Sequence, residues 1–240
     1  MANEVLTRPG AATAFPLRLR LHYKAARASG VRWDIMPVIY NPPYDSPIED
    51  LFVRHYEKYA AASVELVAQK EVDTICGRFI LDFLVQDETG YRVGIECDGK
   101  EFHEESRDEW RDAMILGDGH VDAMYRLRGS DINFYIEDIL FLLAELEPII
   151  FRKRAHANLE VLASSEIKGL KKDHGRDHYF FKYRNGDDKG FFRLEARRRT
   201  VPASERRFWQ TAYRYAQEVG GGKLDDVIYS YRNGRQSDFI

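Results

Sequence analysis

Asp82 and Glu96 are the residues whose type and spacing fit chemistry better than solvation, with Asp98 beside them read either as a third acid or as turn chemistry with Gly99 at a strand end. The stretch Tyr91-Arg-Val-Gly-Ile-Glu96-Cys-Asp98-Gly-Lys100-Glu-Phe-His103 alternates as a strand. Tyr91, Val93, Ile95 and Cys97 then share one face, and Arg92, Gly94, Glu96 and Asp98 the other. Asp82 interrupts a second apolar run, Thr74 to Gln86, in which Phe79, Leu81, Phe83 and Val85 are read as the opposite face. Asp87-Glu-Thr-Gly90 has hairpin chemistry, so Asp82 and Glu96 fall on adjacent antiparallel strands. Like charges that close raise the energy of both ionised forms unless a cation or proton sits between them. Two or three converging carboxylates supply the hard oxygen ligands that suit Mg²⁺ (or Mn²⁺). Such an ion activates water and stabilises charge on a phosphodiester. Lys100 or His103 would position or deprotonate that water, or neutralise a phosphate oxygen.

The elements that must hold these groups are legible around them. Ser46 as N-cap, Pro47 at the first helical position and Glu49 three residues after the cap predict a helix whose apolar stripe runs to about residue 62. Glu49 has two readings, a capping box or a further metal ligand. Val64 to Val72 reads as a first strand. Beyond His103, a helix is expected from a Ser106 cap to Gly117, then a strand over Val121 to Leu127, then a long helix capped by Ser130 and stopping before Pro148. Arg107 and Arg111 stand one turn apart, as partners of Asp108 and Asp112 or as phosphate contacts. Cys97, opposite Glu96, reads as core. The whole is a compact mixed α/β unit.

Taken together, Ser46-Pro-Ile-Glu49 opening a helix, Phe79-Ile-Leu-Asp82-Phe on a strand, Gly94-Ile-Glu96-Cys-Asp98-Gly99 on the next, and His103 with Arg107-Asp108 and Arg111-Asp112 before a final strand and helix resemble the PD-(D/E)xK phosphodiesterase superfamily. The branch they look most like includes the very short patch repair endonucleases. The resemblance spans roughly residues 46–148. It implies a restriction-endonuclease-like α/β/α core with a mixed sheet and Mg²⁺-dependent hydrolysis of phosphodiester bonds in DNA. Asp82 and Glu96 would be metal ligands, with the Cys97 carbonyl nearby. Asp98 stands where the family usually has lysine, so Asp98, Lys100 and His103 share candidacy for positioning the water. RNA as substrate, a homodimer to cut two strands, and a nucleic-acid-binding protein that kept the fold without turnover remain open.

The rest of the 240 residues sets bounds. Hydrophobic content of 44% and charged content of 31% fit a globular protein. No run is apolar enough for a membrane span and no secretory signal is evident, so a cytoplasmic protein is expected. Cys76 and Cys97 have no paired spacing. Charge is split: residues 1–150 carry 16 Lys/Arg against 27 Asp/Glu, net −11, and residues 151–240 carry 20 against 12, net +8. Three regions are expected: an arm with a short basic helix at 1–45, the α/β domain at 46–150, and a basic α+β extension at 151–240. In the last, His178 to Leu194 reads as a hairpin, Ser204 caps a helix, and Tyr-Arg-Asn-Gly at 183 and 231 reads as two turns. Lys182, Arg184, Arg197 and Arg198, among aromatics, would grip nucleic acid.

Overall fold

The computed structural model describes residues 44–99, 105–170, 178–182, 191–200 and 208–237. Ser46 stands in extended backbone and accepts the Glu49 N–H at 3.3 Å, and Pro47 opens helix α1 (Pro47–Tyr56) as expected. Such a cap contributes about 1 kcal/mol. The helix stops at Tyr56, short of residue 62, because Ala60 leaves to bridge Phe151. Strands β1 (Glu65–Thr74), β2 (Gly77–Gln86) and β3 (Arg92–Asp98) then form an antiparallel meander. Asp87 makes the expected hairpin loop by accepting the N–H groups of Thr89 at 3.0 Å and Tyr91 at 2.8 Å.

Helix α2 (Glu105–Gly117) crosses over, and β4 (Ala123–Arg128) returns parallel to β3. Ser106 lies inside α2, and its hydroxyl accepts from Arg232 at 2.8 Å instead of capping. Helix α3 (Gly129–Leu146) likewise begins before Ser130, without a side-chain cap. Two short helices follow, α4 (Ala155–Leu162) and α5 (Ser165–Lys168).

The basic region completes the same sheet. Strand β5 (His178–Lys182) pairs with β6 (Phe191–Arg198) as the expected hairpin, and β6 pairs antiparallel with β4. The order is β1-β2-β3-β4-β6-β5, mixed, so the sheet runs across the boundary expected at residue 150. Helices α6 (Phe208–Glu218) and α7 (Leu224–Ser237) follow. Gly221, at φ +71°, joins them where a Cβ would lie 2.3 Å from the Ile75 carbonyl. The Tyr-Arg-Asn-Gly at 231, expected as a turn, is helical within α7. Tyr231 packs edge-on against Trp110 and Tyr215, each at 5.0 Å, and this aromatic packing overrides local turn chemistry.

Two apolar layers enclose the sheet. One joins α1, α3 and α4 to Phe83, Val85, Ile95 and Tyr125. The other joins α2, α6 and α7 to Leu81, Leu84 and Met124. The chain is thus an α/β protein with helices on both faces of a mixed sheet. Among the described residues no helix is long and apolar enough to cross a membrane. Residues 1–43, the Tyr-Arg-Asn-Gly at 183 and Ser204 lie outside the described residues.

Candidate functional site

The site forms where β2 and β3 part. Their ladder runs from Gln86 opposite Arg92 to Phe83 opposite Ile95 and then ends. The next backbone donor, the Cys97 N–H, turns to the Asp82 carboxylate at 2.8 Å. In extended backbone the Cys97 carbonyl points to the same side. The strand also changes face here: Leu81 packs with Leu84 in the α2 layer, while Phe83 and Val85 pack in the α1 layer. The alternation expected from Phe79 through Val85 therefore slips at Asp82. The pairing stops before Asp82 could face Glu96 across a ladder, yet Asp82 lies close enough to Glu96 to raise its carboxyl.

Gln69, on β1 opposite this break, has φ +49°, a left-handed conformation that costs a non-glycine residue about 1–3 kcal/mol. Its amide donates to Glu49 Oε2 at 3.3 Å. The other Glu49 oxygen accepts the Ser46 hydroxyl at 2.7 Å, so Glu49 is tied to the cap residue through its side chain, not through the backbone N–H that a capping box uses. Glu49 is nonetheless buried close enough to Asp82 to feel its charge. Burial, with Asp82 adding to it, lifts the Glu49 carboxyl above its ordinary value against the Ser46 hydrogen bond.

Glu96 is 4% exposed, and Arg111 from α2 holds both its oxygens at 3.1 and 2.9 Å. Arg111 also donates to the Ile80 carbonyl, filling the gap left by the missing ladder. Arg111 was expected beside Asp112. Asp112 instead points inward with no exposure, taking Arg126 at 2.8 Å on each oxygen and Arg197 at 2.6 Å. A third Arg126 nitrogen reaches Asp98 at 2.9 Å. Burial alone would raise the Asp112 carboxyl, but the two guanidiniums outweigh it and hold it below its usual value.

The expected nucleic-acid contacts divide. Arg107 is half exposed and pairs with Asp225 on α7 at 2.9 Å, not with Asp108. Arg197 and Arg198, expected on a gripping surface, are buried. Arg197 binds Asp112 and Glu195, and Arg198 binds Glu147 at 2.9 Å and the Tyr125 hydroxyl at 3.0 Å. Part of the basic half thus neutralises acids of the first half. Lys182 lies on β5, while Arg184, Lys100 and His103 lie outside the described residues. Three participants escaped the sequence reading: Arg126, Gln69 and the inward role of Asp112. Arg126 left a signal, since it interrupts the apolar strand Ala123 to Leu127 as Asp82 interrupts its own. The Gln69 backbone left none.

Desolvation dominates the acids. Asp82 is raised by burial in spite of the Cys97 N–H and the charge of Arg111. Glu96 is pushed up to about 8 by burial, with Arg111 and Arg126 opposing and Asp82 and Asp112 adding to the rise. The folded state therefore binds the Glu96 proton more tightly than the unfolded chain does, whose glutamate titrates near 4.5. Stability from this group is full below that value and is lost as pH rises through about 8. Urea midpoints of chelator-treated protein are expected to fall between pH 5 and 9, more steeply for wild type than for Glu96→Gln; equal slopes would contradict this.

Among the described residues no three His, Cys, Asp or Glu side chains gather to hold a metal ion as they stand. The donor chemistry still fits Mg²⁺, which takes one or two carboxylates and fills its shell with water and phosphate oxygens. Asp82 commits Oδ2 to the Cys97 N–H, and among the described residues no hydrogen bond engages Oδ1. Compared with known proteins, the chain matches no family model, no curated protein and no solved structure.

Proposed function

We propose that the protein is a metal-dependent endonuclease of the PD-(D/E)xK kind, with a restriction-endonuclease-like core, that hydrolyses phosphodiester bonds in DNA. The observation that carries this reading is the pair Asp82 and Glu96, close enough to interact where two strands separate and too buried to be explained by solvation. Asp82 and Glu96, with the Cys97 carbonyl and Glu49 adjoining, would hold Mg²⁺ or Mn²⁺, which supplies a more acidic water and a counter-charge for the phosphodiester. The Cys97 N–H fixes Asp82, and the Ser46 hydroxyl and Gln69 amide fix Glu49. Arg126 ties Asp98 to β4, and Asp98, Lys100 and His103 remain the candidates for taking the proton of the attacking water. Hydrolysis joins the water oxygen to phosphorus and releases the alcohol oxygen of the leaving strand.

The engagement of both Glu96 oxygens by Arg111 favours the second reading, a protein that binds nucleic acid without cutting it. Supercoiled plasmid separates the two. Nicking or linearisation with Mg²⁺ or Mn²⁺, abolished by EDTA and by Glu96→Gln, is expected of the nuclease. Salt-sensitive retention of DNA with no cleavage in either metal is expected of the binder.

A further inference from the structure

Arg111 sits where a cation is needed. Its guanidinium spans both oxygens of Glu96, reaches the Ile80 carbonyl, and lies close enough to Asp82 to lower its carboxyl. Paired forks of this kind are among the stronger polar contacts in proteins. The charge balance is nevertheless incomplete. Glu96 and Asp82 together carry two negative charges when ionised, and one guanidinium cancels one of them. A divalent ion would cancel both. Arg126 acts on both carboxyls through its charge, but its three nitrogens are bonded to Asp112 and Asp98, so it touches neither Glu96 nor Asp82 and shares its charge with two other acids.

The position of Arg111 lets it leave. Its side chain is 16% exposed, against 3% for Arg126 and 6% for Arg197, so of these three arginines it lies nearest solvent. Beside it are the ring of Phe79, 5.9 Å from the guanidinium carbon, and Ile80, which is 47% exposed. Rotation about the long side chain carries the charge toward this edge without unpacking α2, whose Trp110, Ala113 and Met114 stay in the core.

Resting on the metal-dependent reading above, we infer that Arg111 is a resident counter-cation, an internal latch that occupies Glu96 in the metal-free protein and is displaced when a divalent ion binds Asp82 and Glu96. Loading is then an exchange of cations. When Glu96 is ionised, the metal must break two charge-assisted hydrogen bonds before gaining it, so the latch lowers apparent affinity in proportion to how firmly it holds. Displacement also leaves a positive group at the mouth of the site.

Mn²⁺ binding to the full-length chain, followed by the loss of the free-ion spin-resonance signal, tests this without any cleavage assay. Arg111→Gln, with thermal unfolding to verify its fold, is expected to bind Mn²⁺ at least about tenfold more tightly than wild type, the direction required when a competing cation is removed. Arg111→Gln/Asp82→Asn is expected to lose that gain. Wild-type protein gives a second readout that needs no variant: modification of Arg111 by phenylglyoxal, mapped by peptide mass, is expected to rise several-fold on adding Mn²⁺. Weaker or equal Mn²⁺ binding by Arg111→Gln where wild type binds, or labelling that Mn²⁺ leaves unchanged, overturns the latch and spares the nuclease reading. If neither protein takes up Mn²⁺, the latch and the metal-dependent reading fall together.

Discussion

Asp82→Asn is expected to reduce Mg²⁺-dependent plasmid cleavage by about 100-fold or more while leaving the protein as stable as wild type or more so. The two halves of this result have one cause. Asparagine keeps the shape of aspartate, and its amide oxygen can still accept the Cys97 N–H that Asp82 accepts at 2.8 Å. The backbone at the end of β3 therefore keeps its partner. The lost charge is a burden to the fold, because Asp82 raises the carboxyls of both Glu49 and Glu96. Relieving that repulsion favours the folded chain, as often happens where a protein holds like charges together for function. Paired measurements of cleavage rate and urea midpoint at pH 8 decide the matter. Undiminished cleavage would remove Asp82 from the chemistry, and a large loss of stability would make its role architectural.

Asp112→Ala acts in the opposite sense and is expected to destabilise the protein by about 3–5 kcal/mol, with little dependence on added metal. Asp112 has no exposure and is the shared anion of Arg126 and Arg197, themselves 3% and 5% exposed. Truncation leaves two buried guanidiniums with one anion removed from between them. Removing one partner of a buried ion cluster costs far more than the cluster contributes, because the remaining charges stay desolvated. The change also removes the shorter of two Arg197 links between α2 and β6, leaving the one to Glu109 at 3.8 Å. Urea unfolding followed by circular dichroism gives the magnitude; a loss below about 1 kcal/mol would mean that water or rearranged side chains replace Asp112.

These expectations depend on how much of the site was legible before the fold was known. Ser46, Pro47 and Glu49 announced α1 because caps act over three residues. Asp87 to Gly90 announced the β2–β3 hairpin because turn chemistry is equally local. The helix over Trp209, Ala212 and Ala216 followed from periodicity, and the pairing of β5 with β6 from the Asn185-Gly186 turn signal between them. Expectations failed where distant contacts compete with local preference. Ser106 and Ser130 looked like caps, yet Ser106 is engaged by Arg232, 126 residues away, and Ser130 lies inside a helix that starts at Gly129. Tyr231 to Gly234 looked like a turn until Trp110 and Tyr215 offered Tyr231 an aromatic surface. Arg197 and Arg198 looked like a polyanion grip, and the sheet buried them against acids from the first half of the chain.

Asp82, Glu96 and Asp98 follow the same division. Sequence by itself determined that Asp82 and Glu96 sit on adjacent strands of one hairpin, because a four-residue turn is set by neighbours in the chain, whereas the alternation that would fix their faces slips at Asp82. Tertiary structure alone decided which cations meet them. Arg111 comes from a crossover helix and Arg126 from a strand that pairs in parallel with β3. The charge left on each acid depends on burial and on distances closed only when the layers pack, and neither quantity is written in the spacing of residues along the chain.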